Sequence, residues 1–148
     1  MNIAVKTEDF DNKNLYYCDP IKNNIMNDAS FIRILYSNSF FTLNGVYIYM
    51  KLLDISCEKH YNKYKINYNN KKNISQIEGL KKIEQEILDK YQSYKQPSFK
   101  IQEQFDSYYI KLFHPISEKN ISLILKISGI WENNTNYGLT YKIYPSVV

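Results

Sequence analysis

Residues Ile121–Tyr144 read ISLILKISGIWENNTNYGLTYKIY. Two β-forming runs face each other across an Asn-rich turn. Ile121, Leu123, Leu125 and Ile127 alternate with Ser122, Ile124 and Lys126, the period-two pattern of a strand with one buried face. The return passes through Leu139, Tyr141 and Ile143. This is the longest strand-like run in the chain, and it sets the fold class as mainly β.

Working outward, Tyr108 to Phe113 places Tyr108, Ile110 and Leu112 on one face, and His114-Pro115 closes that strand. Ser98 to Phe105 alternates Phe99, Ile101 and Phe105 against Lys100, Gln102 and Gln104, which predicts a further strand with a turn at Phe105-Asp106-Ser107. One helix is expected before it. Ser75 and Glu78 form a capping box, and Ile77, Leu80, Ile83, Ile87, Leu88, Tyr91 and Tyr94 recur at helical spacing. Glu78–Lys82 and Glu86–Lys90 are favourable i,i+4 pairs, and Pro97 prevents continuation. Gly79 weakens this helix by about 1 kcal/mol relative to Ala.

Lys59 to Tyr68 alternates, with Tyr64, Ile66 and Tyr68 on one side and Tyr61, Lys63 and Lys65 on the other. Val46 to Leu53 alternates too, with Val46, Ile48, Met50 and Leu52 opposite Tyr47, Tyr49 and Lys51. Asn44-Gly45 before it suits a tight hairpin from a short strand at Phe40 to Leu43. Phe31 to Tyr36 is a β-branched and aromatic strand. Met1 to Ser30 reads as an irregular strap with Asp19-Pro20 as a turn and one short strand around Leu15 to Cys18. The domain organisation is therefore an arm over 1–30 and a single domain over 31–148. Strands, one α-helix, then strands predict a small twisted sheet or closed barrel with the helix plugging one end.

A chain of 148 residues that is 44% hydrophobic is long enough and apolar enough for one core. The net charge of +4 (19 basic minus 15 acidic) permits nucleic acid as a partner without demanding it. Arg33 is the only arginine; the abundance of Lys, Asn, Ile and Tyr is the signature of an AT-rich genome. Cys18 and Cys57 form no spaced framework, and with no signal-peptide pattern they read as reduced thiols of an intracellular protein. No apolar run is long enough to span a bilayer. Cys57 and His60 have C-x-x-H spacing, but a zinc site would have to gather Cys18 and His114 from distant regions, so no metal or other cofactor is expected. No catalytic motif is present, so a non-enzymatic role is expected.

The positive signal is basic and aromatic. If the strands bearing Tyr47, Tyr49, Lys51 and Tyr61, Lys63, Lys65 are antiparallel neighbours, they form a ribbon of alternating rings and ammonium groups. Bases stack on such rings while lysines neutralise phosphates.

Asp19-Pro20-Ile21-Lys22-Asn23, Phe31 to Ser37, Phe41-Thr42-Leu43-Asn44-Gly45-Val46-Tyr47, Ile127 to Trp131 and Tyr137 to Lys142 together resemble the OB-fold single-stranded DNA-binding proteins of nucleocytoplasmic large DNA viruses, which are similar to the phage replication type. The resemblance implies an OB-like small β-barrel, with the helix between the third and later strands. It also implies a role in viral DNA replication, recombination or repair, at the site of replication in host cytoplasm or nucleus. The ending Pro145-Ser146-Val147-Val148 departs from the acidic, aromatic-tipped tail of the phage proteins.

The expected ligand is single-stranded DNA, or RNA, with no membrane partner. Tyr47, Tyr49, Tyr61 and Trp131 are the expected stacking platforms, Trp131 being equally suited to the core. Arg33, Lys51, Lys63, Lys65 and Lys142 are the expected phosphate contacts. The competing reading is a viral structural or protein-interaction β-domain that docks through exposed tyrosines. An exposed strand edge could also pair two copies.

Overall fold

The computed structural model describes residues 3–22 and 29–146. Parts of the expected arm, residues 1–2 and 23–28, and the last two residues of the neutral tail, 147–148, lie outside the described residues. In chain order the elements are β1 (Val5–Lys6), β2 (Leu15–Tyr17), β3 (Ile21–Lys22), β4 (Ser30–Ser37), β5 (Thr42–Leu43), β6 (Val46–Leu52), β7 (Ile55–His60) and β8 (Lys63–Tyr68). There follow α1 (Asn70–Tyr91), β9 (Gln96–Ser98), α2 (Lys100–Asp106), β10 (Tyr109–Leu112), β11 (Ile121–Glu132) and β12 (Asn136–Pro145).

β11 is the backbone of the larger sheet. β12 pairs antiparallel with it along one edge, from Leu123↔Pro145 to Glu132↔Tyr137. Along the other edge, Ile121–Ile127 pair with β6 and Gly129–Glu132 pair with β4. The register shifts between Ile127 and Gly129, a bulge that hands the strand from one partner to the next. β1 adds parallel to the free side of β6, β9 parallel to β12, and β2, β3 and β5 all pair with β4. The turn between β11 and β12 is closed by Asn133, whose side-chain oxygen accepts from the N–H groups of Thr135 at 3.0 Å and Asn136 at 2.8 Å.

β7, β8 and β10 form a separate three-stranded antiparallel sheet in the order β10-β8-β7. The described residues thus form a mainly β fold, with two α-helices and mixed sheets. No closed barrel is found among the described residues.

The inward positions of both sheets are those of the alternation. Val46, Ile48, Met50, Leu52, Leu123, Leu125 and Ile127 are fully buried, as are Ile66 and Ile110. They meet the apolar stripe of α1, Ile77, Leu80, Ile83, Ile87 and Leu88, in one continuous core. Each such side chain contributes ~1.5–3 kcal/mol by leaving water.

Four local expectations are corrected. First, there are two α-helices among the described residues. Residues 100–106 are α2 and not a strand, because Ile101 and Phe105, four apart, both enter the core. The buried Glu84 of α1 accepts hydrogen bonds from the N–H groups of Ile101 and Gln102, which holds the first turn. Second, α1 begins at Asn70, capped by the Asn69 side chain bonding Lys71 N–H at 2.8 Å, so Ser75 and Glu78 lie within the helix. It ends at Tyr91, before Pro97, where Gln92 turns left-handed at φ 58°. Third, β5 pairs with β4 and not with β6, so Asn44-Gly45 is a step between partners. Gly45 sits at φ 121° with the Ile127 carbonyl oxygen 2.9 Å from where a Cβ would stand. Fourth, Ile55–His60, unassigned from the sequence, is β7.

α1 also finishes the edge of β6. Leu53 N–H donates to Asn73 Oδ1 at 2.7 Å, Asn73 Nδ2 donates to Leu53 O at 3.0 Å, and Gln76 bonds both backbone groups of Lys51. These amide side chains stand in for a neighbouring strand where β1 has ended. No helix among the described residues is long and apolar enough to cross a membrane.

Candidate nucleic-acid interface

A strand with one face in the core must turn its alternate side chains outward. On the large sheet those outward positions fall into rows fixed by the register. Tyr47, Lys126 and Lys142 lie directly opposite one another across β6, β11 and β12. The next row is Lys6, Tyr49, Ile124 and Tyr144, and the next is Lys51 beside Ser122. Opposed side chains in such rows are about 4.5–5.5 Å apart at Cβ. The result is three tyrosines interleaved with four lysines, and no Asp or Glu occupies any of these paired positions.

The rings are held, not loose. Lys126 Nζ lies 5.4 Å from the Tyr47 ring centroid. Tyr49 and Ser122 share a hydroxyl hydrogen bond at 2.9 Å. Burial, with Tyr47 close by, pushes the Tyr144 phenol above its ordinary range while Lys126 pulls the other way, so the three side chains act on one another. Tyr47 and Tyr49 are half-buried and Tyr144 is 38% exposed, which leaves part of each ring open to solvent. None of Lys6, Lys51, Lys126 and Lys142 enters an ion pair among the described residues.

Beyond the bulge the same face continues. Arg33, Gly129 and Thr140 form one row, and Phe31, Trp131 and Gly138 the next. Arg33 is exposed but its guanidinium donates to Asn44 Oδ1 at 2.7 Å, so a phosphate would have to compete with that bond. Trp131 is neither free nor in the core. It is half-buried with its indole laid over Gly138, where a Cβ would come within 2.8 Å of the ring.

The expected ribbon is not formed. Tyr61, Lys63 and Lys65 do not neighbour Tyr47, Tyr49 and Lys51, because both edges of β6 are already taken by β1 and β11. The chain turns out of the large sheet at Asp54, φ 55°, and builds β7 and β8 in the small one. Tyr61 is 86% exposed at the β7–β8 turn, with φ 58°. Lys63 and Lys65 lie on β8, Lys63 over the Phe113 ring at 5.2 Å and Lys65 over the Tyr109 ring at 4.5 Å.

Six of the nine expected residues (Arg33, Tyr47, Tyr49, Lys51, Trp131 and Lys142) therefore share one face of the large sheet, and the other three belong to the small sheet. Lys6, Lys126 and Tyr144 join the larger set and were missed. Lys126 and Tyr144 occupy outward positions of the alternation in β11 and β12, a signal that becomes readable once β11 is known to be central. Among the described residues no group of His, Cys, Asp or Glu converges in a way that would hold a metal ion.

Comparison of the chain with protein-family models, curated proteins and solved structures finds no match.

Proposed function

We propose that this protein binds single-stranded nucleic acid with little sequence preference and without catalysis. The observation that supports it best is the face on which Tyr47, Tyr49 and Tyr144 interleave with Lys6, Lys51, Lys126 and Lys142, with no acid at the paired positions and Glu8 at the margin beside Lys6 and Lys51. Unpaired bases offer flat π faces and a charged backbone at regular intervals. Half-exposed rings between unpaired ammonium groups match both. Every base has a π face that such rings can take, which fits sequence-tolerant stacking. The viral replication setting and an OB-like relationship belong to the same proposal, and rest on the resemblance of the segments between Asp19 and Tyr144.

The test is fluorescence anisotropy of a labelled oligo-dT, titrated with protein at several salt concentrations. If four lysines each neutralise a phosphate, log K against log salt should fall with a slope of about −2.8, at ~0.7 per contact for single strands. Tyr47→Ala with Tyr49→Ala should weaken binding at least about tenfold, given ~1–3 kcal/mol per stacked base. Absence of binding at low salt overturns the proposal. Binding of a protein ligand that is indifferent to salt would instead favour docking through exposed rings such as Phe40 and Tyr94, 89% and 93% exposed.

A further inference from the structure

The small sheet repeats the chemistry of the large one. Its outward face carries Lys65 opposite Lys111, with Tyr109 opposite Asn67 in the adjoining row. Lys63 over Phe113 and Lys65 over Tyr109 are cation–π pairs, and Phe113 is 68% exposed. One acid tempers it: Glu58, 4.0 Å from Lys65.

The two faces are joined. Between β10 and β12 runs an open groove of about 440 Å³, lined from one side by Lys63, Tyr109 and Lys111 and from the other by Tyr141 and Lys142, with Gln104 also in its wall. Lys142 belongs to both surfaces: it closes the Tyr47–Lys126 row on the large sheet and lines this groove. None of its three lysines enters an ion pair among the described residues. Three unneutralised ammonium groups along one channel suit a polyanion better than a single small anion, because successive phosphates can each take one.

We infer that the small sheet is a second stacking platform, and that the groove of Lys63, Lys111 and Lys142 is the phosphate channel linking it to the first, so that one nucleic-acid strand occupies both sheets. This rests on the single-strand-binding reading above. It adds that the site has two halves, which a short oligonucleotide cannot fill together.

The test compares labelled dT4 and dT15 on wild-type protein and on two sets of variants. Tyr47→Ala removes a ring from the first platform. Tyr109→Ala removes one from the second, and Lys111→Gln, at an exposed position, weakens the channel without touching the core. The expected result is that dT15 binds at least about tenfold tighter than dT4, the gain of roughly one further stacked base. Tyr109→Ala and Lys111→Gln should each erase much of that gain and leave dT4 unchanged, with Lys111→Gln also lowering the salt slope for dT15 by about 0.7. If both oligonucleotides bind equally and neither second-platform variant affects dT15, the two-sheet path is overturned, while a loss in Tyr47→Ala still upholds the first platform. If neither oligonucleotide binds, both readings fall together.

Discussion

Replacing Glu84 tests whether a carboxylate on one helix holds the start of another. Glu84 is fully buried on α1, where it accepts from Ile101 N–H at 2.8 Å and Gln102 N–H at 3.0 Å. These donors lie in the first turn of α2 and have no partner inside that helix. Alanine would strand both, at ~1–3 kcal/mol each, so Glu84→Ala should destabilise the protein by about 4 kcal/mol. Glutamine keeps one acceptor oxygen and should cost about half as much.

The group also carries a pH signature. Burial pushes its pKa up, the two backbone N–H bonds pull it down, and neighbouring Glu103 pushes it up again, the balance being upward. The folded chain therefore keeps the Glu84 proton to a higher pH than the unfolded chain, where the ordinary value is about 4.3. Between those two pKa values the folded state binds more protons. The stability contribution is complete below the unfolded pKa and is lost as pH rises through the folded one. Urea unfolding followed by Trp131 fluorescence, repeated from acid to neutral pH, reads both effects. The downward slope assigned to Glu84 should be missing in Glu84→Gln, which has no proton to lose. A Glu84→Ala protein within about 0.5 kcal/mol of wild type would refute the capping argument, and parallel pH curves for wild type and Glu84→Gln would refute the linkage.

Lys126→Gln should lower the salt slope of oligo-dT binding by about 0.7; an unchanged slope would remove Lys126 from the phosphate path. Gly79→Ala should gain about 1 kcal/mol of helix propensity yet lower the melting temperature, because the new Cβ would stand 2.7 Å from Thr7 Cβ. Thr7→Gly in the same chain should recover the loss. Asn73→Ala should cost ~2–4 kcal/mol in urea unfolding by stranding the N–H and C=O of Leu53, and Asn73→Asp, which keeps the acceptor but lacks the donor, should restore only part of it.

Local periodicity made β6, the body of α1, and β11 with β12 readable, because each has one buried face and its spacing repeats within the element. Partner choice was not readable. Nothing in Val46–Leu52 says that its neighbours will be β1 and β11, and so the ribbon with Lys63 and Lys65 was misplaced. α2 was missed for a related reason. Phe99, Ile101 and Phe105 fit a strand alternation, while the group that settles them as a helix start, Glu84, is seventeen residues away from Ile101. Gly79 reads as a helix defect from the sequence alone, whereas the fold sets Thr7 against it. The candidate face followed the same rule: its tyrosines were visible on β6, but the lysine between them, Lys126, is supplied by a strand distant in sequence.

The central place of β11 has a consequence for how the chain is made. β4 and β6 both attach to one edge of it, yet β6 ends at Leu52 and β11 begins at Ile121, a gap of 121 − 52 = 69 residues. At ~5–20 residues per second, a ribosome needs roughly 3–14 s to cover that distance. During that interval two apolar strands are complete, with the edges meant for β11 still open. Of their strand partners only β1, β2, β3 and β5 are yet made, and α1 emerges in the same interval to bond the end of β6. Unpaired edges of this kind are where strands of other chains can add, so the nascent chain carries that hazard until β11 emerges.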